Sequence, residues 1–367
     1  MSDLESDHLT RQLITCIGNK RALLEPIEEA IREARRRLGG RKLRAVDAFA
    51  GSGVVSRLLV RHASHLVSND LEDYAAALGR CFLRDRRRVD LGDLERIVAD
   101  LNARVDHEPL APGFVRELYA PRDEAEIRAE DRVFYTVENA RRLDDYRRRL
   151  DELDRDRFDL LIGPLLARAS VHANTAGVFK GFYKDRRTRI GRYGGSGADA
   201  LTRIRGEIRL EVPVLAEHDC EVEVSRRDAN ELAREAGAFD LAYLDPPYNQ
   251  HPYGSNYFML NLLLHYRRPD ATSRVSGIPR DWRRSGYNVR RRSEGLLREL
   301  VANLDARFVL VSFNDEGFIA PDAMRTLLAE HGRVEEIARR HAAFRGSRNL
   351  ASRALHVTEH LFLVDRG

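Results

Sequence analysis

Residues 239–244, FDLAYL, form an apolar run interrupted only at Asp240, and the run ends abruptly at Asp245-Pro246-Pro247-Tyr248. A run this short and this apolar suits a strand covered on both faces, as in a parallel sheet. The two prolines fix φ and remove two N–H donors, so neither strand nor helix continues through them. Parallel α/β sheets bind ligands outside the carboxyl ends of their strands. The stretch therefore predicts a carboxylate and a phenol held at such an end by stiff, donor-poor backbone.

Comparable runs occur at residues 43–49, 65–68, 221–225, 308–313 and 359–364, and a helical pattern with Val54, Val55, Leu58 and Leu59 on one face separates the first two. Strands alternating with helices predict an α/β fold built on a doubly wound, mostly parallel sheet. Residues 333–339 and 357–364 are expected to form an antiparallel pair closing it. Between Asp70 and Glu221 lies a stretch too long for one crossover. It opens with helix-like, charge-rich segments at 74–104 and 124–153. From Val171 it reads VHANTAGVFKGFYKDRRTRIGRYGGSG, where aromatics, basic residues and glycines interleave. The expected division is a catalytic domain, residues 1–71 and 221–367, and an inserted, largely helical domain, residues 72–220. A second Arg-dense stretch, residues 267–292, holds nine arginines against two aspartates.

The 367 residues are 43% hydrophobic and 33% charged, a globular and water-soluble composition. No apolar run approaches the roughly 18 residues of a membrane span, and MSDLESDHLT lacks a signal-peptide pattern. Cys16, Cys81 and Cys220 lie far apart without CxxC spacing. They read as reduced thiols of a cytoplasmic protein, and neither a disulfide framework nor a zinc site is supported. Twelve histidines show no metal-ligand spacing, so no metal is expected. A net charge of +4 permits a polyanionic partner. Only Lys20, Lys42, Lys180 and Lys184 are lysines among the 62 basic residues, so local clustering says more than bulk charge.

Residues 46–53, VDAFAGSG, read as a strand ending at Asp47 and a glycine-rich turn into a helix. Gly51 and Gly53 would let backbone approach a ligand, and the helix start presents unpaired N–H groups. About twenty residues on, HLVSND ends at Asp70, placed for hydrogen bonds to ribose hydroxyls. A GxG spacing with Phe49 in the turn suits a nucleoside better than a pyrophosphate. Asp245 and the Pro246 carbonyl could each accept one N–H of an exocyclic amine, turning its lone pair out of conjugation. Tyr248 offers a stacking face for an extruded base.

AVDAFAGSG, VSND and YLDPPY, in that order, resemble the S-adenosylmethionine-dependent DNA N6-adenine methyltransferases of the Dam-like (D12) class. ITCIGNKRAL (residues 14–23) resembles the N-terminal cofactor motif of that class, with Cys16 where an aromatic is usual. LVSFNDEGF and AFRGSRNLASRALHVTEHLFLV resemble its late segments, and the motif order corresponds to its α arrangement. The resemblance implies a Rossmann-like methyltransferase fold, S-adenosylmethionine as cofactor, DNA as partner and possible service beside a separately encoded restriction endonuclease. It implies Gly18, Asn19 and Lys20 at the methionine end of the cofactor, Asp47, Phe49, Gly51 and Gly53 in its loop, and Asp70 at the ribose. Asp228 would sit near the adenine, although it also suits the cap of a helix over residues 229–236. Asp245, Pro246, Pro247 and Tyr248 would be the catalytic tetrad.

Phe179, Lys180, Phe182, Tyr183 and Lys184 fall where Dam-like enzymes carry a target-recognition hairpin, with a tip at residues 181–183; a solvated loop with core aromatics is the alternative. Lys180 and Lys184 would hold phosphates, with Arg189 or Arg192 toward a base. Phe344, Arg345 and Arg348 would form a loop between the last strands that lines the base pocket and holds phosphates. Cytosine-N4 methylation, adenine methylation of RNA and a catalytically silent DNA-binding protein are the competing readings.

Overall fold

The computed structural model describes residues 8–15, 18–194, 198–342 and 356–367. Seven strands form one sheet: β1 (Leu43–Asp47), β2 (Ala63–Asn69), β3 (Glu221–Ser225), β4 (Phe239–Leu244), β5 (Ala306–Asn314), β6 (Arg333–Ala342) and β7 (His356–Asp365). Their order is β3-β2-β1-β4-β5-β7-β6. The first five are mutually parallel, whereas β7 runs antiparallel to both β5 and β6. The expected antiparallel pair is present, but β7 lies inside the sheet and β6 takes the edge. Its apolar LFLV stretch explains this, because a buried strand needs both faces covered while Arg333–Ala342 is rich in charge.

Side chains alternate between two cores, as period-2 geometry requires. Val46, Ala242, Leu244, Val309, Val311, Phe362 and Val364 face one. Ala45, Leu241, Tyr243, Phe308, Leu310, Leu361 and Leu363 face the other. Helices Ala229–Glu235, Arg290–Asn303 and Pro321–Ala329 cover the first face, and Leu24–Arg37 with Val54–Leu59 the second. The sheet is doubly wound.

Between β2 and β3 the chain forms helices Asp73–Phe82, Leu91–His107, Phe114–Tyr119, Val137–Leu150, Arg155–Val171 and Ala198–Arg205. Two expected helical stretches are shorter than their charge patterns suggest. The Asp85 and Asp90 side chains accept backbone N–H groups of Arg87 and Asp93, breaking the first stretch into two helices. Asp131 likewise accepts from Arg122 and Arg128, so the second helix waits for its Thr136 cap. The core of this segment also takes in Leu13, Ile14 and the helix Phe258–His265, which follows the DPPY loop.

Pro164 lies inside Arg155–Val171 and cannot donate to Leu160, whose carbonyl instead accepts from Cys81 Sγ at 3.1 Å. A Cβ on Gly163 would lie 2.8 Å from both Cβ and Sγ of Cys81. Close approach of two helices therefore depends on this glycine. Gly163→Val should destabilise the fold by about 1–3 kcal/mol through overpacking, seen as a lower urea midpoint with an unchanged slope.

Candidate active site

Strand order reverses between β1 and β4, so the carboxyl ends of these neighbours open a crevice. The Ala48 N–H donates to the Tyr243 carbonyl (3.1 Å) and fixes the loop after β1 against β4. A cleft of about 880 Å³, open mouth included, occupies this place. Gly18, Asn19, Lys20, Asp47, Phe49, Gly51, Asp70 and Asp228 all line it, together with Asp245 and Pro247. Sequence segments more than 200 residues apart thus meet at one wall.

Two expected residues behave differently. Gly53 does not line the cleft; it caps helix Val54–Leu59 at φ 74°, with nothing within 4 Å of a Cβ. Glycine adopts that left-handed backbone without strain. Asp70 accepts the backbone N–H groups of Gly51 and Glu72, both at 2.8 Å. It ties the loop after β2 to the glycine loop while lining the cleft. Asp228 accepts from the Asn230 N–H (2.9 Å) as the expected helix cap, and it also lines the cleft.

Buried Asn69 staples these loops together. Its Nδ2 donates to the Ala48 and Arg227 carbonyls, both at 3.1 Å, and its Oδ1 accepts from the Arg227 N–H at 3.0 Å. All three groups are backbone, so the loop geometry is set whatever side chains surround it.

The charges at the cleft are unusual for a protein interior. Lys20, 3% exposed, places Nζ 3.2 Å from Asp245 Oδ1 and 3.2 Å from Glu359 Oε1. Burial alone would lower its pKa, but the two carboxylates reverse this and raise it above the ordinary lysine value. Asp245 is pushed up to about 6 by burial, with Lys20 opposing and Glu359 adding to the rise. Asp47 is pushed up to about 7, again by burial, against a hydrogen bond from Ser56 Oγ (2.6 Å) to Oδ2. Its Oδ1 is buried and makes no hydrogen bond of good geometry. Burial likewise pushes Glu72 up to about 7, although Asn261 Nδ2 donates to it at 2.9 Å.

Several wall residues escaped the sequence reading. Tyr287 packs edge-on against Phe49 with centroids 5.3 Å apart, and its hydroxyl donates to Asn230 Oδ1 (2.7 Å). Asn288 donates from Nδ2 to the Asn249 carbonyl, while its buried Oδ1 has no partner. Glu359 had a readable signal: it shares a strand face with Leu361 and Leu363, where a carboxylate demands a cation. Within the tetrad, Pro246 is buried, and Tyr248 packs edge-on against Phe313 with its hydroxyl near Gly18.

The basic stretch forms a hairpin, but not at residues 181–183. Phe179 and Phe182 are core residues. Lys184 pairs with Gly191, Asp185 N–H bonds the Ile190 carbonyl (2.8 Å), and Arg192 N–H bonds the Tyr183 carbonyl (3.0 Å). Asp185 Oδ1 organises the turn by accepting from the Arg187 and Thr188 N–H groups. The tip carries exposed Arg186, Arg187 and Arg189, the last at φ 62°. Lys180 and Arg192 are exposed, and Lys184 lies 4.7 Å above the Phe182 ring. Phe344, Arg345 and Arg348, like Cys16, lie outside the described residues. Among the described residues no group of His, Cys, Asp or Glu is placed to hold a metal ion, and no helix is long and apolar enough to cross a membrane.

A family model described as D12 class N6 adenine-specific DNA methyltransferase matches residues 17–327. The chain is 27% identical over 356 residues to Type II methyltransferase M.CviAII of Paramecium bursaria Chlorella virus 1, covering 95% of this chain and 97% of that protein. It is 26% identical to Type II methyltransferase M.NlaIII of Neisseria lactamica, over 87% and 90% of the two chains. Type II methyltransferase M.FokI of Planomicrobium okeanokoites is 24% identical over 87% of this chain but only 47% of its own length. The match spans the glycine loop, the insertion and DPPY alike, and the chain belongs to the D12 class of N6 adenine-specific DNA methyltransferases.

Proposed function

We propose that the chain transfers a methyl group from S-adenosylmethionine to N6 of an adenine extruded from a specific site in duplex DNA, beside a separately encoded restriction endonuclease. The supporting observation is that Asp47 of the glycine loop and Asp245 of DPPY line one cleft at the switch point of the sheet. The names of the relatives, Type II methyltransferases and modification methylases, favour the restriction-modification setting.

The cleft residues fit the cofactor. Asp47 Oδ1 is a buried acceptor suited to an ammonium, and Asp70 and Glu72 suit hydroxyls. Phe49 and Tyr287 offer an aromatic wall for adenine beside Asp228 and the Asn288 Oδ1 acceptor. When bound, S-adenosylmethionine supplies a methyl group made electrophilic by its sulfonium.

The residues of the chain prepare the amine. Lys20 holds Asp245 Oδ1, so Oδ2 is the oxygen that would accept one N6–H, and the Pro246 carbonyl accepts the other. Two fixed acceptors turn the amine lone pair away from the ring, a gain of positioning and electrostatics. Asp245, pushed up to about 6, can take the proton that N6 releases at neutral pH. Tyr248 offers its ring to the extruded base. The hairpin at 183–192, with Lys180, supplies cations for DNA: Lys180 and Lys184 to phosphates, Arg189 or Arg192 to a base.

Labelled methyl should pass from S-adenosylmethionine to duplex DNA and be recovered as N6-methyladenine; label only in cytosine or only in RNA would overturn the assignment. Asp245→Asn should lower kcat by at least about a hundredfold with cofactor affinity kept. The kcat profile should fall on the acid side near pH 6 as Asp245 protonates. Glu359→Gln removes a charge that raises Asp245, so this limb should move to lower pH; an unmoved limb would assign it to another group.

Asp47 gives a prediction of opposite character. A carboxyl whose folded pKa is raised from about 3.9 contributes stability that is present at low pH and lost as pH rises toward 7. Asp47→Asn lacks this loss, so its advantage in melting temperature over the wild type should grow between pH 4 and pH 7. The same variant should bind S-adenosylmethionine at least about tenfold more weakly, as loss of a charge-assisted bond implies. Melting curves and calorimetry check the two halves separately.

A further inference from the structure

The Arg-dense stretch after DPPY holds a second hairpin that the proposed chemistry does not use. Thr272 pairs with Pro279, Ser273 N–H bonds the Ile278 carbonyl (2.8 Å), and Arg280 N–H bonds the Ala271 carbonyl (3.2 Å). Its base is fixed to the inserted segment. The hydroxyl of buried Tyr119 donates to the Gly277 carbonyl (2.7 Å), and Arg132 donates to Thr272 Oγ1 and the Ser273 carbonyl. Gly277, at φ 67°, leaves no room for a side chain, since a Cβ would lie 2.7 Å from the Tyr119 ring. A hairpin anchored this firmly presents its tip rigidly.

The tip consists of Arg274 and Val275, both exposed. Val275 is 50% exposed, and the other exposed large hydrophobic among the described residues, Val289, lies in the same stretch. Arg274 and Arg280 have no carboxylate at ion-pair distance among the described residues, whereas Arg84, Arg86, Arg104 and Arg157 elsewhere on the surface are paired. Ser276 Oγ donates to the Lys180 carbonyl (2.7 Å), which sets this hairpin beside the one at 183–192. Three residues after Arg280 the same stretch of chain joins the cleft wall at Arg283, and continues along it at Ser285, Tyr287 and Asn288. The tip is thus joined to the cleft by a short stretch of chain.

We propose that residues 271–280 form a second DNA-reading hairpin, in which Arg274 holds a phosphate and Val275 packs against the 5-methyl group of a thymine in or next to the methylated site. This rests on the duplex-DNA reading above. In the major groove the thymine methyl is the apolar feature of the base edges, and a small branched side chain on a fixed tip fits it. Side chains that wedge between base pairs are typically larger or stiffer, such as Phe, Leu, Ile, Met or Pro. The cation beside Val275 positions the backbone without carrying sequence information.

The test uses the full chain and duplexes bearing the site mapped from methylated plasmid, with each thymine in the site and its flanks replaced singly by deoxyuridine. At one position the wild type should lose about fourfold in kcat/KM, the worth of one buried methyl. Val275→Ser should show that loss on thymine DNA and no longer distinguish the two bases. Arg274→Gln should weaken binding to all duplexes alike and reduce the slope of log affinity against log salt by about 1. Both variants should keep the melting temperature and the calorimetric affinity for S-adenosylmethionine. An unchanged thymine preference in Val275→Ser, or an unchanged salt slope in Arg274→Gln, overturns the proposal while the wild type still deposits N6-methyladenine. A wild type that methylates no duplex DNA overturns the reading beneath it instead.

Discussion

Burying carboxylates at the switch between β1 and β4 is the constraint around which this molecule is arranged. Asp47, Asp70 and Asp245 crowd the carboxyl ends of adjoining strands, and each is raised by burial. Ionised groups out of water require partners. Asp70 takes backbone N–H groups, Asp47 takes the Ser56 hydroxyl, and Asp245 takes Lys20. Lys20 in turn meets a second carboxylate, Glu359. The pairing of β7 with β5 places Glu359 beside the lysine.

The strands and the tetrad were legible because their physics is local. Short continuous apolar runs marked β4 and β5, and Pro246-Pro247 marked where β4 must end. The resemblance then tied DPPY to the glycine loop. What escaped depends on contacts between remote segments. Nothing in LFLV says which strands flank it, so the interior position of β7 became apparent only from the sheet. Gly53 answers equally to a tight turn and to close approach, and the sequence alone does not separate the two. The hairpin tip was misplaced because Phe182 reads as well for a stacking ring as for a core residue, and Asp185, whose side chain builds the turn, gave the better signal.

The arginines divide in the same physical way. On the helices of the inserted segment most face a carboxylate three or four residues away or on a neighbouring helix, as Arg141 does with Glu138 and Arg157 with Asp93. Such pairs contribute little to stability individually but leave little charge for a polyanion. Arg274 and Arg280 of the second hairpin have no carboxylate at ion-pair distance among the described residues. An Arg-rich composition thus conceals arginines that differ in how far their charge is already matched.

Lys20 and Glu359 are separated by 339 positions in the chain. Their contact is of very high sequence separation, and closing so long a loop is slow and entropically costly. During synthesis, β1 through β5 can pair before β7 has left the ribosome, yet Asp245 would then share Lys20 with no second carboxylate. The electrostatic setting of the site is consequently the last thing to be completed. A chain ending before β7 would hold Asp245 and Lys20 together without their second carboxylate.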